Sequence, residues 1–253
     1  MKQFGSIVFI AACLLMASAH AAEVNVAVAA NFMVTMNEIA AEFAKDTGHK
    51  ARLSFGSSGS LYVQIVNGAP FEVFLSADDE KPGLLEKMGL GVSNSHFTYA
   101  IGSLVLWSAK PGLVDDRGEV LRHGKFNKIA IANPKLAPYG KAAVDTLSSM
   151  RLLKAVSPKF VQGENVSQAY QLAVTSNADL GFVALSQVMK SGKIVNGSAW
   201  IVPDNQYSAL RQEAVLLSSG KDNPAAESLF TFLKGDKAKA IISSYGYNTK
   251  ADF

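Results

Sequence analysis

The chain has 253 residues, of which 49% are hydrophobic, 9% aromatic and 18% charged, and its formal net charge is +3. This composition is typical of a globular protein with a sizeable core and excludes a disordered or fibrous chain, while the lack of a basic tract argues against a nucleic-acid partner. The four histidines form no pair at metal-ligand spacing, and neither C-x-x-C nor H-E-x-x-H occurs, so we expect no metal site built from His and Cys.

Residues 1–21 are typical of a secretory signal peptide. Lys2 supplies the positive charge, residues 7–17 the apolar segment, and residues 19–21 the small-x-small cleavage site. Cys13 ends a segment similar to a bacterial lipobox, but the apolar LLMASA that follows it argues against a lipid anchor. Cleavage after Ala21 would remove the only cysteine, so we predict a mature chain without disulfides in a bacterial periplasm.

The mature chain alternates predicted strands and helices. Apolar alternation and buried-type runs predict strands over residues 24–28, 50–55, 71–75, 99–108, 129–132, 160–163, 180–185, 199–202 and 211–218. Helical spacing predicts helices over residues 33–45, 61–67, 141–147, 167–175, 224–234 and 237–245. This order favours an α/β fold with parallel sheets, in two lobes that the chain crosses twice near the long strands 99–108 and 211–218.

Four strand-to-helix junctions carry small or polar residues, two in each predicted lobe, at residues 30–31, 57–58, 138–140 and 165–166. Asn31 is predicted to be an N-cap or to lie in the first turn of a helix. In parallel α/β sheets, ligands collect at the carboxyl ends of strands, where helix N-termini point inward. The pattern therefore predicts a cleft between the lobes.

The junctions offer N–H, hydroxyl and amide donors without Arg or Lys, and Glu164 is the one carboxylate beside them. Donors without cations suit a small oxyanion, which the helix termini also attract with roughly half a unit charge each. Phosphate keeps a proton near neutral pH and needs an acceptor, whereas sulfate, molybdate and tungstate need donors only. Ordinary helix capping explains each junction equally well when it is taken alone, so both interpretations stay open at this point.

Seven segments, in order over nearly all of the mature chain, resemble the molybdate-binding component of bacterial ABC transporters, the ModA family. They are residues 26–32 (VAVAANF), 57–65 (SSGSLYVQI), 68–78 (GAPFEVFLSAD), 99–107 (YAIGSLVLW), 133–140, 179–184 and 233–235. The resemblance implies a type II periplasmic binding protein with two α/β lobes, each a mainly parallel sheet flanked by helices, joined by a hinge of two crossing strands. We expect the first lobe at residues 22–101 and 214–253 and the second at residues 102–213.

The same resemblance implies that the protein captures molybdate or tungstate for an ABC permease. It implies a monomer that performs no chemistry and holds no cofactor, in which molybdenum or tungsten is present only as the bound oxyanion without a direct protein ligand. Six matching positions would form the oxyanion site: Ala30, Asn31, Ser57, Ser58, Tyr139 and Val166. Val166 would contribute its backbone N–H.

Three positions depart from many members of the family. Asn31 stands where many members have serine, Ala184 where many have tyrosine, and Tyr139 where many have alanine. Our hypothesis is that the phenol of Tyr139 replaces the one missing at position 184.

Other classes of function remain to be weighed. The alternative within the same fold is a receptor for sulfate or a small organic anion. An amino-acid receptor would bring an Arg for the carboxylate and an acid for the amine, and neither stands at the four junctions. An enzyme would need a nucleophile and a base, but the sequence has no G-x-S-x-G elbow and no histidine near these junctions.

Overall fold

A computed structural model of the chain describes residues 21–123 and 126–249. Residues 1–20, which contain Cys13 and nearly all of the predicted signal peptide, lie outside the described residues. Within the described part of the chain, no helix is both long enough and apolar enough to cross a membrane.

The first sheet contains five strands in the order β2-β1-β3-β12-β4. The strands β1, β2 and β3 are parallel, and β12 runs antiparallel to both β3 and β4. The bounds are β1 Glu23–Ala29, β2 Lys50–Gly56, β3 Val73–Ser76, β4 Phe97–Gly102 and β12 Leu210–Leu216. With its helices this sheet forms the first lobe.

The second sheet repeats this arrangement in the order β7-β6-β8-β5-β11. The strands β6, β7 and β8 are parallel, and β5 runs antiparallel to both β8 and β11. The bounds are β5 Leu104–Ser108, β6 Ile129–Ala132, β7 Phe160–Gly163, β8 Leu180–Ala184 and β11 Ser198–Ile201. A separate hairpin pairs β9 Met189–Lys190 with β10 Lys193–Ile194. This sheet and its helices form the second lobe.

The helices α1–α3, α9 and α10 flank the first sheet, and α4–α8 belong to the second lobe. Their bounds are α1 Met33–Thr47, α2 Ser58–Val66, α3 Glu80–Lys87, α4 Val120–His123, α5 Pro138–Ser149, α6 Leu153–Val156, α7 Val166–Val174, α8 Leu185–Val188, α9 Pro224–Lys234 and α10 Asp236–Ser244.

The period-two pattern of β1 shows how the first lobe is built. Val24, Val26 and Val28 are fully buried in a cluster with α1 and α9. Ala27 faces the opposite side of the sheet, where it packs in a second cluster with Leu61 of α2. Because the strand is buried on both faces, helices must cover both sides of the sheet. The α/β fold and the two mainly parallel sheets predicted from the sequence are confirmed.

The structure differs from the prediction where the chain passes between the sheets. The predicted strand 99–108 is two strands, β4 and β5, which belong to different sheets and meet at Ser103. The return passage lies in residues 202–209, before β12, so the predicted strand 211–218 lies largely within the first sheet. The residue boundaries predicted for the two lobes stay a prediction.

Candidate functional site

A small cavity lies between the two lobes, at the ends of four strands and the starts of the helices that follow them. The lining residues are Ala29, Ala30, Asn31, Gly56, Ser57, Ser58, Ala77, Ala137, Pro138, Tyr139, Asn165 and Val166.

All six residues predicted from the sequence therefore line one cavity. None of them is more than 4% exposed. The structure brings together residues as far apart in the chain as Ala30 and Val166, because the carboxyl ends of β1, β2, β6 and β7 converge there. Sequence reasoning missed part of the lining, notably the alanines at positions 29, 77 and 137, which carry no polar signal. Ala184 and Glu164 are not among the lining residues.

Asn31 lies in a single 3-10 turn, Ala30–Phe32, that leads directly into α1. Its side chain makes no capping hydrogen bond, so the N-cap alternative is wrong. The Asn31 Nδ2 group instead donates to Gln212 Oε1 at 2.8 Å and to the Tyr247 hydroxyl at 2.9 Å. Both amide protons of the Asn31 side chain are thus used inside the protein and are not free to donate to a ligand.

Ser57 and Ser58 hold the start of α2. Ser57 is the N-cap, and its Oγ accepts from the Ser60 N–H at 3.2 Å. The Ser58 Oγ accepts from the Ala77 N–H at 2.9 Å, so its own proton remains available to a ligand. The helix begins three residues earlier than predicted, because the polar first turn of α2 gave no apolar periodicity to detect.

The start of α5 brings Tyr139 to the cavity. Pro138 occupies the first turn of the helix, where its fixed φ and missing N–H are tolerated. Tyr139 is 2% exposed, and burial, together with the neighbouring hydroxyls of Tyr247, Tyr207 and Tyr99, raises its pKa well above the usual value. The phenol is therefore neutral at physiological pH.

The start of α7 contributes a backbone donor. The Asn165 Oδ1 caps the helix by accepting from the N–H groups of Ser167 at 3.0 Å and Gln168 at 3.1 Å. Val166 is the first helical residue, and the N–H of such a residue has no acceptor inside its helix. Ser58 is likewise the first residue of α2, and Tyr139 is the second of α5, whose N–H also lacks a helical acceptor. No hydrogen bond described for the chain uses these three N–H groups.

The cavity is electrically unusual because no charged side chain is among its described lining residues. Its favourable potential for an anion comes from the helix N-termini, each equivalent to roughly half a positive charge. Hydrogen bonds from such donors to an ionised acceptor are stronger than neutral ones. Within the described ranges, no group of three or more His, Cys, Asp or Glu residues could hold a metal ion. The arrangement can hold a compact anion through N–H and O–H donors.

Hydrogen bonds between the lobes surround the cavity. The Gly59 N–H of α2 donates to the Leu136 carbonyl at 2.9 Å. On the other side, the Ser167 Oγ of α7 donates to the Ala30 carbonyl at 3.0 Å, and the Ser186 Oγ of α8 donates to the Asn31 carbonyl at 2.9 Å. The second lobe thus binds two carbonyls of the first-lobe turn, those of Ala30 and Asn31.

Behind this turn lies a ring of three hydrogen bonds that crosses between the lobes. Asn31 Nδ2 donates to the Tyr247 hydroxyl, which lies 3.0 Å from the Ser186 Oγ and can donate to it. Ser186 in turn donates to the Asn31 carbonyl. Sequence reasoning did not find Ser186, Tyr247 or Gln212. Gln212 lies between Arg211 and Glu213 in β12, so no local pattern distinguished it as part of a buried network.

Residues 24–248 match the family model of the bacterial extracellular solute-binding proteins. The chain is 57% identical over 241 residues to the molybdate-binding protein ModA of Azotobacter vinelandii, covering 95% of this chain and 96% of that protein. It is 48% identical over 233 residues to ModA of Rhodobacter capsulatus, covering 92% and 90% of the two chains.

The fold is similar to a solved structure of the Azotobacter vinelandii periplasmic molybdate-binding protein. The TM-score is 0.85 at 46% identity, with 88% of this chain and 98% of that chain covered. The family resemblance inferred from seven short segments is therefore confirmed over most of the sequence and in the fold. The chain belongs to the bacterial extracellular solute-binding proteins and, among them, to the ModA family.

Proposed function

We propose that the protein binds a fully ionised tetrahedral oxyanion, molybdate or tungstate, between its lobes and delivers it to an ABC importer. The observation that carries this proposal is the chemistry of the cavity, in which helix-terminal N–H groups and a serine hydroxyl converge without any charged side chain. Such a site favours an anion that needs no acceptor. Membership of the ModA family supports the choice of molybdate or tungstate.

The proposed contacts divide into two kinds. Ser58 provides both its hydroxyl and its N–H, whereas Tyr139 and Val166 provide N–H groups at the starts of α5 and α7. Asn31 and Ala30 shape the turn opposite them, and the capping serine Ser57 holds the start of α2 in place. These assignments rest on the position of the six residues in the cavity lining.

The protein acts as a binding protein rather than an enzyme, without a cofactor, and we expect a monomer in the periplasm after removal of residues 1–21. Lobe closure would remove the anion from water and complete its set of donors, and the closed form would be the one recognised by the permease. Sulfate carries the same charge as molybdate, so discrimination between them would rest on the size of the cavity.

Calorimetric titration of the mature protein with molybdate, tungstate, sulfate and phosphate in one buffer tests this proposal. We expect tight binding of molybdate and tungstate without measurable binding of sulfate or phosphate. Sulfate binding as tight as that of molybdate would instead favour a general sulfate-type receptor. Absence of heat with all four anions would contradict the oxyanion site and favour a small organic anion.

A further inference from the structure

The first passage between the lobes, residues 101–104, makes a close contact at each of its residues. The Ile101 N–H donates to the Asn248 carbonyl at 2.8 Å, and the Ser103 carbonyl accepts from the Leu185 N–H at 3.0 Å. The Leu104 N–H donates to the Tyr207 hydroxyl at 3.1 Å. Gly102, the last residue of β4, stands between these contacts and is buried.

Gly102 lies directly against the hydroxyl of Tyr139. A Cβ atom at position 102 would overlap this hydroxyl, and it would also lie 3.1 Å from Gln212 Nε2 and 3.3 Å from Tyr139 Cζ. Gly102 has no positive φ, so an alanine here is excluded by its neighbour and not by the backbone conformation. The phenol oxygen of Tyr139 therefore occupies the space that any other residue would need for its side chain.

Tyr139 thus extends from the cavity to the hinge. Its backbone lies in the first turn of α5, at the wall of the candidate anion site, and its ring ends on the backbone of the first-lobe strand β4. The ring is rigid and the residue is 2% exposed, so a displacement at one end must be felt at the other. Gln212, the hydrogen-bond partner of Asn31, reaches the same glycine from the first lobe.

We propose that Tyr139 is a positioning residue that sets the distance between the start of α5 and the hinge, with Gly102 as its seat. The inference rests on the proposed function, since it concerns the placement of an oxyanion donor. In this arrangement the phenol fixes how far the second lobe closes over the cavity, and the Tyr139 N–H reaches the anion only when the hydroxyl is seated on Gly102.

A double-mutant cycle tests the coupling. Gly102→Ala should weaken molybdate binding at least tenfold, because the new methyl group displaces the Tyr139 hydroxyl and with it the start of α5. Tyr139→Phe alone should weaken molybdate binding two- to fivefold, because the ring loses the hydroxyl that is seated on Gly102 and the start of α5 is held less well. The double variant should bind within threefold of Tyr139→Phe, because removing the hydroxyl removes the overlap. Gly83→Ala in α3 is the matched control, since no atom lies within 4 Å of its added Cβ.

The thermal midpoint of each unliganded variant is measured in parallel, and affinities are measured well below it. A double variant as weak as Gly102→Ala, or a Gly102→Ala variant that binds like the wild type, would overturn the proposal. Loss of more than tenfold in Tyr139→Phe alone would assign the phenol to the anion, as the sequence hypothesis has it. If the wild type bound no oxyanion, the proposed function would fail. The contact between Gly102 and Tyr139 would still be tested, because Tyr139→Phe should restore the thermal midpoint that Gly102→Ala lowers.

Discussion

The two lobes have the same order of elements and present different chemistry to the cavity. The strands β1, β2 and β3 of the first sheet correspond in position to β6, β7 and β8 of the second. In each lobe, the helices that follow the first two of these strands begin at the cavity. The first lobe offers the side-chain hydroxyl of Ser58, whereas the second offers mainly the backbone around Tyr139 and Val166.

This difference shows that one fold can provide anion donors in two ways. A hydroxyl donor depends on a particular residue, while an N–H at the start of a helix depends only on the path of the chain. Substitutions in the first lobe should therefore affect binding more than substitutions at the corresponding places of the second. The predictions below test this contrast.

The largest effect is expected for Ser58→Ala. The change removes a hydroxyl donor to the anion and also the acceptor of the Ala77 N–H. Because hydrogen bonds to charged groups contribute about 1.5–3 kcal/mol, we expect molybdate affinity to fall about 10- to 100-fold in calorimetric titration. Ser148→Ala is the control, since that exposed hydroxyl donates only to the Val144 carbonyl within α5. Equal affinities for the two variants would contradict the role of Ser58.

A smaller effect is expected for Ser186→Ala, which lies outside the cavity lining. The Asn31 carbonyl loses its donor from the second lobe, and the ring through Tyr247 is broken. A lost hydrogen bond of about 1 kcal/mol corresponds to roughly fivefold weaker binding. Stopped-flow measurements should show this change in the dissociation rate, since the contact holds the closed form.

The control for this variant is Ser244→Ala, whose hydroxyl donates to the Ile241 carbonyl within α10. If Ser186→Ala slowed association and left dissociation unchanged, the contact would not act on the closed form.

Val166→Ala should leave the affinity for molybdate within about twofold of the wild type, because the proposed contact is its backbone N–H. The side chain is 3% exposed and packs in the core of the second lobe. Its truncation should therefore lower stability by about 1 kcal/mol, which corresponds to about 2–4 °C in thermal denaturation. An affinity loss as large as that of Ser58→Ala would refute the contrast between the lobes.

The smallest effect concerns pH. The pKa of Tyr139 is raised above its usual value, chiefly by burial, so the neutral phenol is favoured in the folded protein. The contribution of the neutral phenol to stability is complete below the pKa of about 10 that tyrosine has in the unfolded chain. It is lost only as the pH rises through the higher pKa of the folded protein. No Asp, Glu, His, Lys or Arg is among the described lining residues. Molybdate affinity should therefore be constant between about pH 6 and pH 9, and a stepwise change there would reveal a titrating group at the site.

Local patterns in the sequence determined most of the secondary structure and the positions of the four junctions. Periodicity predicted β6 and α9 with their observed bounds, because both elements are regular. The strand β6 is buried on both faces, and the helix α9 is buried on one. It missed the starts of α2 and α5, since the first turns of these helices, SGS and PYG, contain turn-type residues and show no helical apolar spacing. Capping and Pro at the first turn, rather than apolar spacing, place those starts.

Only the tertiary structure decided how the junctions are joined and what supports them. The largely apolar segment 99–108 does not reveal that the chain changes sheets at Ser103, because strand-type residues lie on both sides of Gly102 and Ser103. Asn31 and Gln212 are 181 positions apart, and Gly102 meets Tyr139 across the hinge. Such pairs depend on how the two lobes close on each other. Residue type and spacing specify the donors, and lobe packing alone determines which of them face the ligand.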